Sequence, residues 1–384
     1  MDFRDSQEHR DLRAAVSAVT RSFGDGYFTE HAERREPTSE LWRALAKQGF
    51  VGINMPAEYG GGGAGLTELA IVVEQTAAEG CPLLLLLVSS AICGEMIARY
   101  GSVPQRARWL PPLADGSEKM AFAITEPDAG SNSHQLTTTA RRDGDEWLLS
   151  GTKYYISGAD EAAAILVVAR TGTDSESGRS QLSLFVVPAE APGLTRHPLP
   201  VAAMMPERQF TVYFTDVRLG PEDLLGTEHD GFTQVFHGLN PERITGAALC
   251  VGIGRYALAK AARYARERTV WDGPIGAHQG VAHPLAKARI ELEAAALLTA
   301  KAAWQHDHEE PAGEASNMAK YAAAEAALAA VDAAIQTHGG NGMSSEYGLI
   351  PLWGIARLLR IAPVNREMIL NYVAQHSLGL PRSY

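Results

Sequence analysis

Cysteine is scarce: Cys81, Cys93 and Cys250 stand alone in 384 residues, with no zinc-ligand spacing and no disulfide framework. Basic residues are outnumbered, 34 Lys plus Arg against 45 Asp plus Glu, for a net charge of -11. That deficit excludes a broad nucleic-acid surface, which needs cations against phosphates, and leaves room only for local basic pockets. Long apolar runs are missing as well. The longest, Pro82 to Cys93, falls short of the roughly 20 residues of a membrane-spanning helix. Residues 1–13 are charged where a secretory leader is apolar, so a cytoplasmic location is expected. What is present, 46% hydrophobic and 21% charged residues, suits a globular chain of two or three domains.

Three zones follow from pattern, giving an α+β fold class. Residues 1–118 read as helical, with Leu12, Val16 and Val19, then Leu41, Leu45 and Phe50, at helical spacing. Gly60 to Gly63 breaks this zone before a helical run from Leu66 to Glu79; without a following Gly-Lys-Ser/Thr it reads as a flexible turn, not a phosphate loop. Residues 119–226 carry short β-rich runs: Glu146–Leu149, Lys153–Ile156, Ala164–Val168, Leu182–Val187 and Phe210–Phe214. No helical pattern separates them, so an antiparallel sheet or small barrel is predicted. Residues 227–384 are alanine-rich, and the runs 242–268, 281–306, 314–337 and 364–376 predict a four-helix bundle.

Two patterns are coincidental. Gly252-Ile-Gly254-Arg-Tyr-Ala257 spells a dinucleotide fingerprint but lies inside a helical run with no strand before it. His306 and His308, at i and i+2, diverge on a helix, so no metal site is expected there. The leucine run Leu83–Leu87 is read as core packing, with an acyl-pocket wall as the alternative.

Four segments carry a resemblance. They are Phe122-Ala-Ile124-Thr125-Glu126-Pro127-Asp128-Ala129-Gly130-Ser131-Asn132; Gly151-Thr-Lys153-Tyr154-Tyr155-Ile156-Ser157; Arg266 through Gln279; and Gln336-Thr-His-Gly339-Gly340-Asn-Gly342. In this order, and with helices before and after the β zone, the chain resembles the acyl-CoA dehydrogenase family over essentially its whole length. The resemblance implies FAD as cofactor, an acyl-CoA thioester as substrate, and an electron-transfer flavoprotein as acceptor. It also implies a homo-oligomer, most often a tetramer. Phe122, Ile124, Thr125, Gly130, Ser131, Tyr155, Ile156 and Ser157 are implied flavin contacts. The Thr125 and Ser157 hydroxyls fall near the N1 and N5 edge, where a donor stabilises arriving charge. Tyr155 stands where the family has tryptophan, and Ser131 also meets the phosphate end of the thioester ligand. Arg268, Trp271, Gln279, Gln336, Gly339 and Gly340 are implied contacts to the FAD of a neighbouring subunit, Arg268 offering its fork to the pyrophosphate.

The catalytic base departs from the commoner pattern. Most of the family uses a glutamate near the C-terminus, and counting from Glu346-Tyr347 places Pro363 there. The family's preceding R-D-A becomes Gly354-Ile355-Ala356. A subset resembling isovaleryl-CoA and long-chain dehydrogenases carries the base before an arginine on the first C-terminal helix, which here is Glu242-Arg243. Glu242 is therefore the expected base, with Asn240 and Arg243 as substrate-binding or site-shaping neighbours. Local pattern also makes Asn240 an N-cap and Pro241 the first helical residue, so the helix dipole would lower the Glu242 pKa. Pro363 has no N–H to hold a thioester oxygen, a loss of about 3 kcal/mol unless Val364 donates instead. Glu367 is a secondary candidate, expected to face away. Three readings remain open: a dehydrogenase, an oxidase, monooxygenase or carrier-protein thioester enzyme of the same fold, or a degenerate flavin-binding subunit.

Overall fold

The computed structural model describes residues 4–382. Helices α1 (Gln7–Arg21), α2 (Tyr27–Arg34), α3 (Ser39–Lys47) and α4 (Leu66–Ala78) lead the chain. Ser6 caps α1 by accepting from the His9 N–H, and Val16, Leu41 and Leu45 fill the first core as their spacing predicts. The four-glycine segment is an ordered turn. Its Gly61, Gly62 and Gly63 N–H groups donate to the carbonyls of Pro56, Gly52 and Met55, which leaves none of the three to cradle a phosphate. The apolar run becomes a π-helix, Leu86–Gly94, continuing into α5 (Glu95–Tyr100) and α6 (Val103–Ala114). Leu83, Leu85, Leu86 and Leu87 are buried in the core.

The middle of the chain forms β1 (Met120–Ala123), β2 (Thr139–Asp143), β3 (Glu146–Ser157), β4 (Ala164–Thr173), β5 (Ser180–Pro188), β6 (Leu194–Pro198), β7 (Gln209–Leu219) and β8 (Leu224–Leu225). They make one eight-stranded sheet in the order β6-β7-β3-β2-β4-β5-β8, with β1 also paired to β4. The sheet is mixed, not purely antiparallel: β1 runs parallel to β4, and β2 touches β4 in the same sense. A four-residue Met-Ala-Phe-Ala strand has no alternation to betray it. It is stable in the sheet because helices cover one face and β side chains the other. The two runs expected at Glu146–Leu149 and Lys153–Ile156 are one continuous strand. Alternation sorts β4, with Ile165 and Val167 on one face and Leu166 and Val168 on the other.

The chain then returns to helix: α7 (Gly231–Glu267), the short pair β9 (Thr269–Val270) and β10 (Gly273–Pro274), α8 (Gln279–Asp307), α9 (Gly313–His338), α10 (Leu349–Leu359) and α11 (Arg366–His376). Two expectations are corrected here. Helix α7 begins at Gly231, so Asn240 is no N-cap, Pro241 lies in the interior and Glu242 sits about three turns in. Helix α10 is an added element. The early start is tertiary: Gln234, Val235 and Gly238 are buried, and Val235 packs into the helix–sheet core, outweighing two glycines and a proline. The glycines of the false fingerprint serve close packing, since a Cβ at Gly252 would strike the Glu74 carbonyl and one at Gly254 the Leu292 side chain. Among the described residues no helix is long and apolar enough to cross a membrane.

Candidate active site

Strand β3 shifts register against β7 between Lys153 and Ile156. This bulge adds one residue, places Tyr155 at φ 58°, and turns its ring outward to 53% exposure. Tyr154 packs edge-on against that ring, 4.5 Å between centroids. Ile156 goes the other way, buried in the sheet core, which leaves only its backbone for any ligand. Ser157 ends the strand, and its hydroxyl donates to Gln209 Oε1 at 3.0 Å.

A buried ion pair holds the neighbouring loop. Lys153 is fully buried, and its Nζ donates to Glu126 Oε1 at 2.8 Å and to the Ile124 carbonyl at 3.0 Å. Glu126 also accepts from the Thr137 N–H and hydroxyl, both at 2.7 Å, and from the Thr138 N–H at 3.0 Å. Burial alone would raise its pKa, but the lysine charge and these donors win and hold it at about 2. Burial pushes Lys153 down to about 8 against the pull of Glu126. The Tyr154 N–H donates to the Thr125 carbonyl at 2.8 Å, so Thr125 is fixed through its backbone while its side chain stays partly exposed. Neither Lys153 nor Glu126 was a sequence candidate. The signal available was a lone lysine inside the β-forming run Lys153–Ile156; Glu126, in the turn-forming Thr-Glu-Pro-Asp segment, carries none.

Phe122 and Ile124 pack on the helix–sheet core. Gly130 is exposed with open space where a Cβ would stand. Ser131 accepts at 2.6 Å from Asn365 Nδ2, and Asn365 caps α11 through the Met368 N–H. That bond ties the β-zone loop to the turn carrying Pro363.

Glu242 is partly buried on α7, where Gly238 abuts Met96 and Gly246 faces Leu87 and Leu359. Burial raises its pKa to about 7, against the opposing pull of Arg243 and Lys320. The helix dipole does not lower it, because the residue is not at a helix start. Arg243 is 5% exposed; its Nη1 donates to Asn240 Oδ1 at 3.0 Å, and its Nε has no partner among the described residues. Lys320, equally deep on α9, donates to the Val364 carbonyl at 2.7 Å and is pushed down to about 8 by burial. Cys93, from the π-helix, lies within electrostatic reach of Glu242, and its thiol meets the Ala121 carbonyl of β1 at 3.6 Å. Cys93 thus stands between Glu242 and the strand that leads to Thr125. Glu367 is exposed on the first turn of α11.

The remaining candidates gather elsewhere, around the α7–α8 turn and the C-terminal end of α9. Arg268 caps α7 and, with Lys260, Arg263, Tyr264, His338 and Asn341, lines a cleft of about 330 Å³. Trp271 is 88% exposed at φ 58°, and Gln279, Gly339 and Gly340 are exposed. Gln336 lines a second groove of about 370 Å³ between α8 and α9. Arg268 lies 26 residues along α7 from Glu242, about 39 Å at 1.5 Å per residue. His306 approaches Glu95 at 3.8 Å while His308 turns back to the Trp304 carbonyl, so the two histidines part as their spacing requires.

Helices, a mixed sheet, then helices, with a partly buried acid on the first long C-terminal helix, define the class: a three-part α+β scaffold. Comparison narrows it. Residues 6–117, 121–217 and 229–378 match, in turn, the N-terminal, middle and C-terminal domains of acyl-CoA dehydrogenase. The chain is 55% identical over 384 residues to acyl-CoA dehydrogenase FadE12 of Mycobacterium tuberculosis, covering 100% of this chain and 99% of that one. Butyryl-CoA dehydrogenase from Megasphaera elsdenii superposes with a TM-score of 0.93 at 27% identity, covering 99% and 100%. A glutaryl-CoA dehydrogenase from Mycobacterium smegmatis, in complex with FADH2, superposes with a TM-score of 0.92 at 26% identity, covering 99% and 97%. The chain belongs to the acyl-CoA dehydrogenase family.

Proposed function

We propose that the protein is an FAD-dependent acyl-CoA dehydrogenase in which Glu242 removes the α proton of the thioester. The observation that carries this is a carboxylate on α7, partly buried beside the buried Arg243 and within electrostatic reach of Cys93, with its pKa raised by burial to about 7. A general base works best with a pKa near the working pH, and its rigid helix keeps it aimed. The residues fit a flavin: partly exposed hydroxyl side chains on Thr125 and Ser157 and an outward aromatic plane at Tyr155. FAD, when bound, supplies the two-electron acceptor for the β hydrogen. Thr125, Ser157 and the backbone near Phe122, Ile124, Gly130 and Ile156 orient the ring, while Tyr155 covers one face. Ser131 and Asn240 meet the thioester ligand. Arg243, buried and hydrogen-bonded to Asn240, shapes the site and keeps the base from being protonated too readily.

Arg268, Trp271, Gln279, Gln336, Gly339 and Gly340 serve the FAD of another subunit. Arg268 stands about 39 Å along α7 from Glu242, so a flavin lying beside Glu242 takes its Arg268 contact from a second subunit. The working unit is then a homo-oligomer, a tetramer on this reading, in the cytoplasm, handing electrons to an electron-transfer flavoprotein. Residues 1–118 supply helical packing, 119–226 the flavin edge, and 227–384, as a four-helix bundle, the base and the interface.

The test is anaerobic bleaching of the flavin by a panel of acyl-CoAs, with Glu242→Gln alongside. Bleaching by the wild type and its loss in the variant is the expected result. Equal bleaching by both removes Glu242 from the reaction. Oxygen uptake by the reduced enzyme, or activity restricted to carrier-protein thioesters, moves the protein to the neighbouring reactions of the fold.

A further inference from the structure

Gln209 opens β7 directly across from Ser157, its register partner on β3. The side chain is buried at 4% exposure. Its backbone is fixed, since the Leu199 N–H donates to the Gln209 carbonyl at 2.7 Å and the Gly158 N–H to the adjoining Arg208 carbonyl at 2.9 Å. Its Oε1 takes the Ser157 hydroxyl, and its Nε2 has no partner among the described residues.

A serine hydroxyl has one proton to give and two lone pairs to offer. With the proton committed to Gln209, the Ser157 oxygen faces its other neighbours as an acceptor only, the reverse of the donor role that the resemblance implies. Toward oxidised flavin, whose N5 carries a lone pair, such an oxygen is repelled. Toward reduced flavin, whose N5 carries a hydrogen, it is attracted.

We propose that Gln209 is a positioning residue that orients the Ser157 hydroxyl as an acceptor, and thereby favours the reduced over the oxidised cofactor. The inference rests on the reading of Ser157 as a contact to the flavin edge. Gln209 acts through Ser157, and its whole effect on the cofactor passes through that oxygen.

The experiment measures the midpoint potential of the FAD-loaded protein by dye-equilibrated anaerobic titration. It compares the wild type with Gln209→Met, Ser157→Ala and the double variant, with FAD content and thermal midpoint recorded for each. Gln209→Met is expected to lower the reduced-to-oxidised ratio about tenfold at fixed potential, a shift of about 30 mV for a two-electron couple. FAD content stays at the wild-type level, and the double variant matches Ser157→Ala. Gln209→Asn, which withdraws the amide by one methylene, shifts the potential in the same direction by less and serves if the methionine variant folds poorly. An unchanged potential in both Gln209 variants overturns the proposal while Ser157→Ala still shifts it. So does a Gln209→Met shift of equal size in the Ser157→Ala background. If Ser157→Ala leaves the potential and the flavin spectrum of a loaded protein unchanged, the placement of Ser157 itself is wrong and the inference falls with it.

Discussion

Glu126 is a buried carboxylate and Glu242 a partly buried one, each within reach of a buried lysine, yet burial governs the pKa of only one of them. Glu126 receives a lysine and three further donors, so every lone-pair direction is used and ionisation is locked in. Glu242 has two cations nearby, but Lys320 spends a proton on the Val364 carbonyl and Arg243 spends one on Asn240. Charge at a distance is weaker than charge delivered through hydrogen bonds, so desolvation prevails and the proton is held to about 7. The contrast separates a scaffold acid from a working one by their partners, not by depth.

The sharpest way to break the comparison is to neutralise each acid's role. Glu242→Gln is expected to slow flavin reduction by about 10²- to 10⁴-fold, the usual range for a lost general base, in stopped-flow traces, with thermal stability retained. Lys153→Met leaves Glu126 buried without its cation and is expected to cost about 3–5 kcal/mol of stability by urea unfolding; restoring a neutral partner with Glu126→Gln recovers part of it.

The pH dependence of stability sharpens the contrast further. Glu126 has a folded pKa below its ordinary 4.5, so its contribution is present above 4.5 and fades as pH falls toward about 2. Glu242 has a folded pKa above 4.5, so its sign is opposite: stability is full below 4.5 and declines as pH rises to about 7. Urea midpoints between pH 4.5 and 7 are expected to fall less steeply in Glu242→Gln than in the wild type.

The smallest effect belongs to Lys320→Gln, which keeps a donor for Val364 but removes a charge. With Arg243 left as the cation facing Glu242 and a neutral Cys93 thiol opposite, the midpoint of the rate–pH profile is expected to rise by about one unit.

Sequence made the helix–sheet–helix order legible because long periodic runs report burial directly, as Leu41, Leu45 and the β4 valines do. It failed where packing overruled local chemistry. Gly231, Gly238, Asn240 and Pro241 all argue against helix, yet the segment is helical because Val235 and Gln234 are pressed into the core. The same misplacement assigned Glu242 a dipole it does not feel. Strand β1 is too short for periodicity, and β2, Thr-Ala-Arg-Arg-Asp, carries charges that usually mark loops. Of the site, the motif hydroxyls and the glutamate–arginine pair were readable as types. The partners that set their chemistry, Gln209 and Lys320, lie 52 and 78 residues away in the chain and meet them only through folding.

The bulge in β3 changes the parity of the strand. Trp147, Leu149 and Lys153 point inward at odd positions, and after the bulge the inward place passes to even-numbered Ile156. Tyr155 is thus supernumerary relative to β7, which has one residue fewer across the same interval. Excising it would heal β3 into plain odd–even alternation, with Ile156 still inside and Ser157 still opposite Gln209, so the strand's pairing is independent of the aromatic plane it presents.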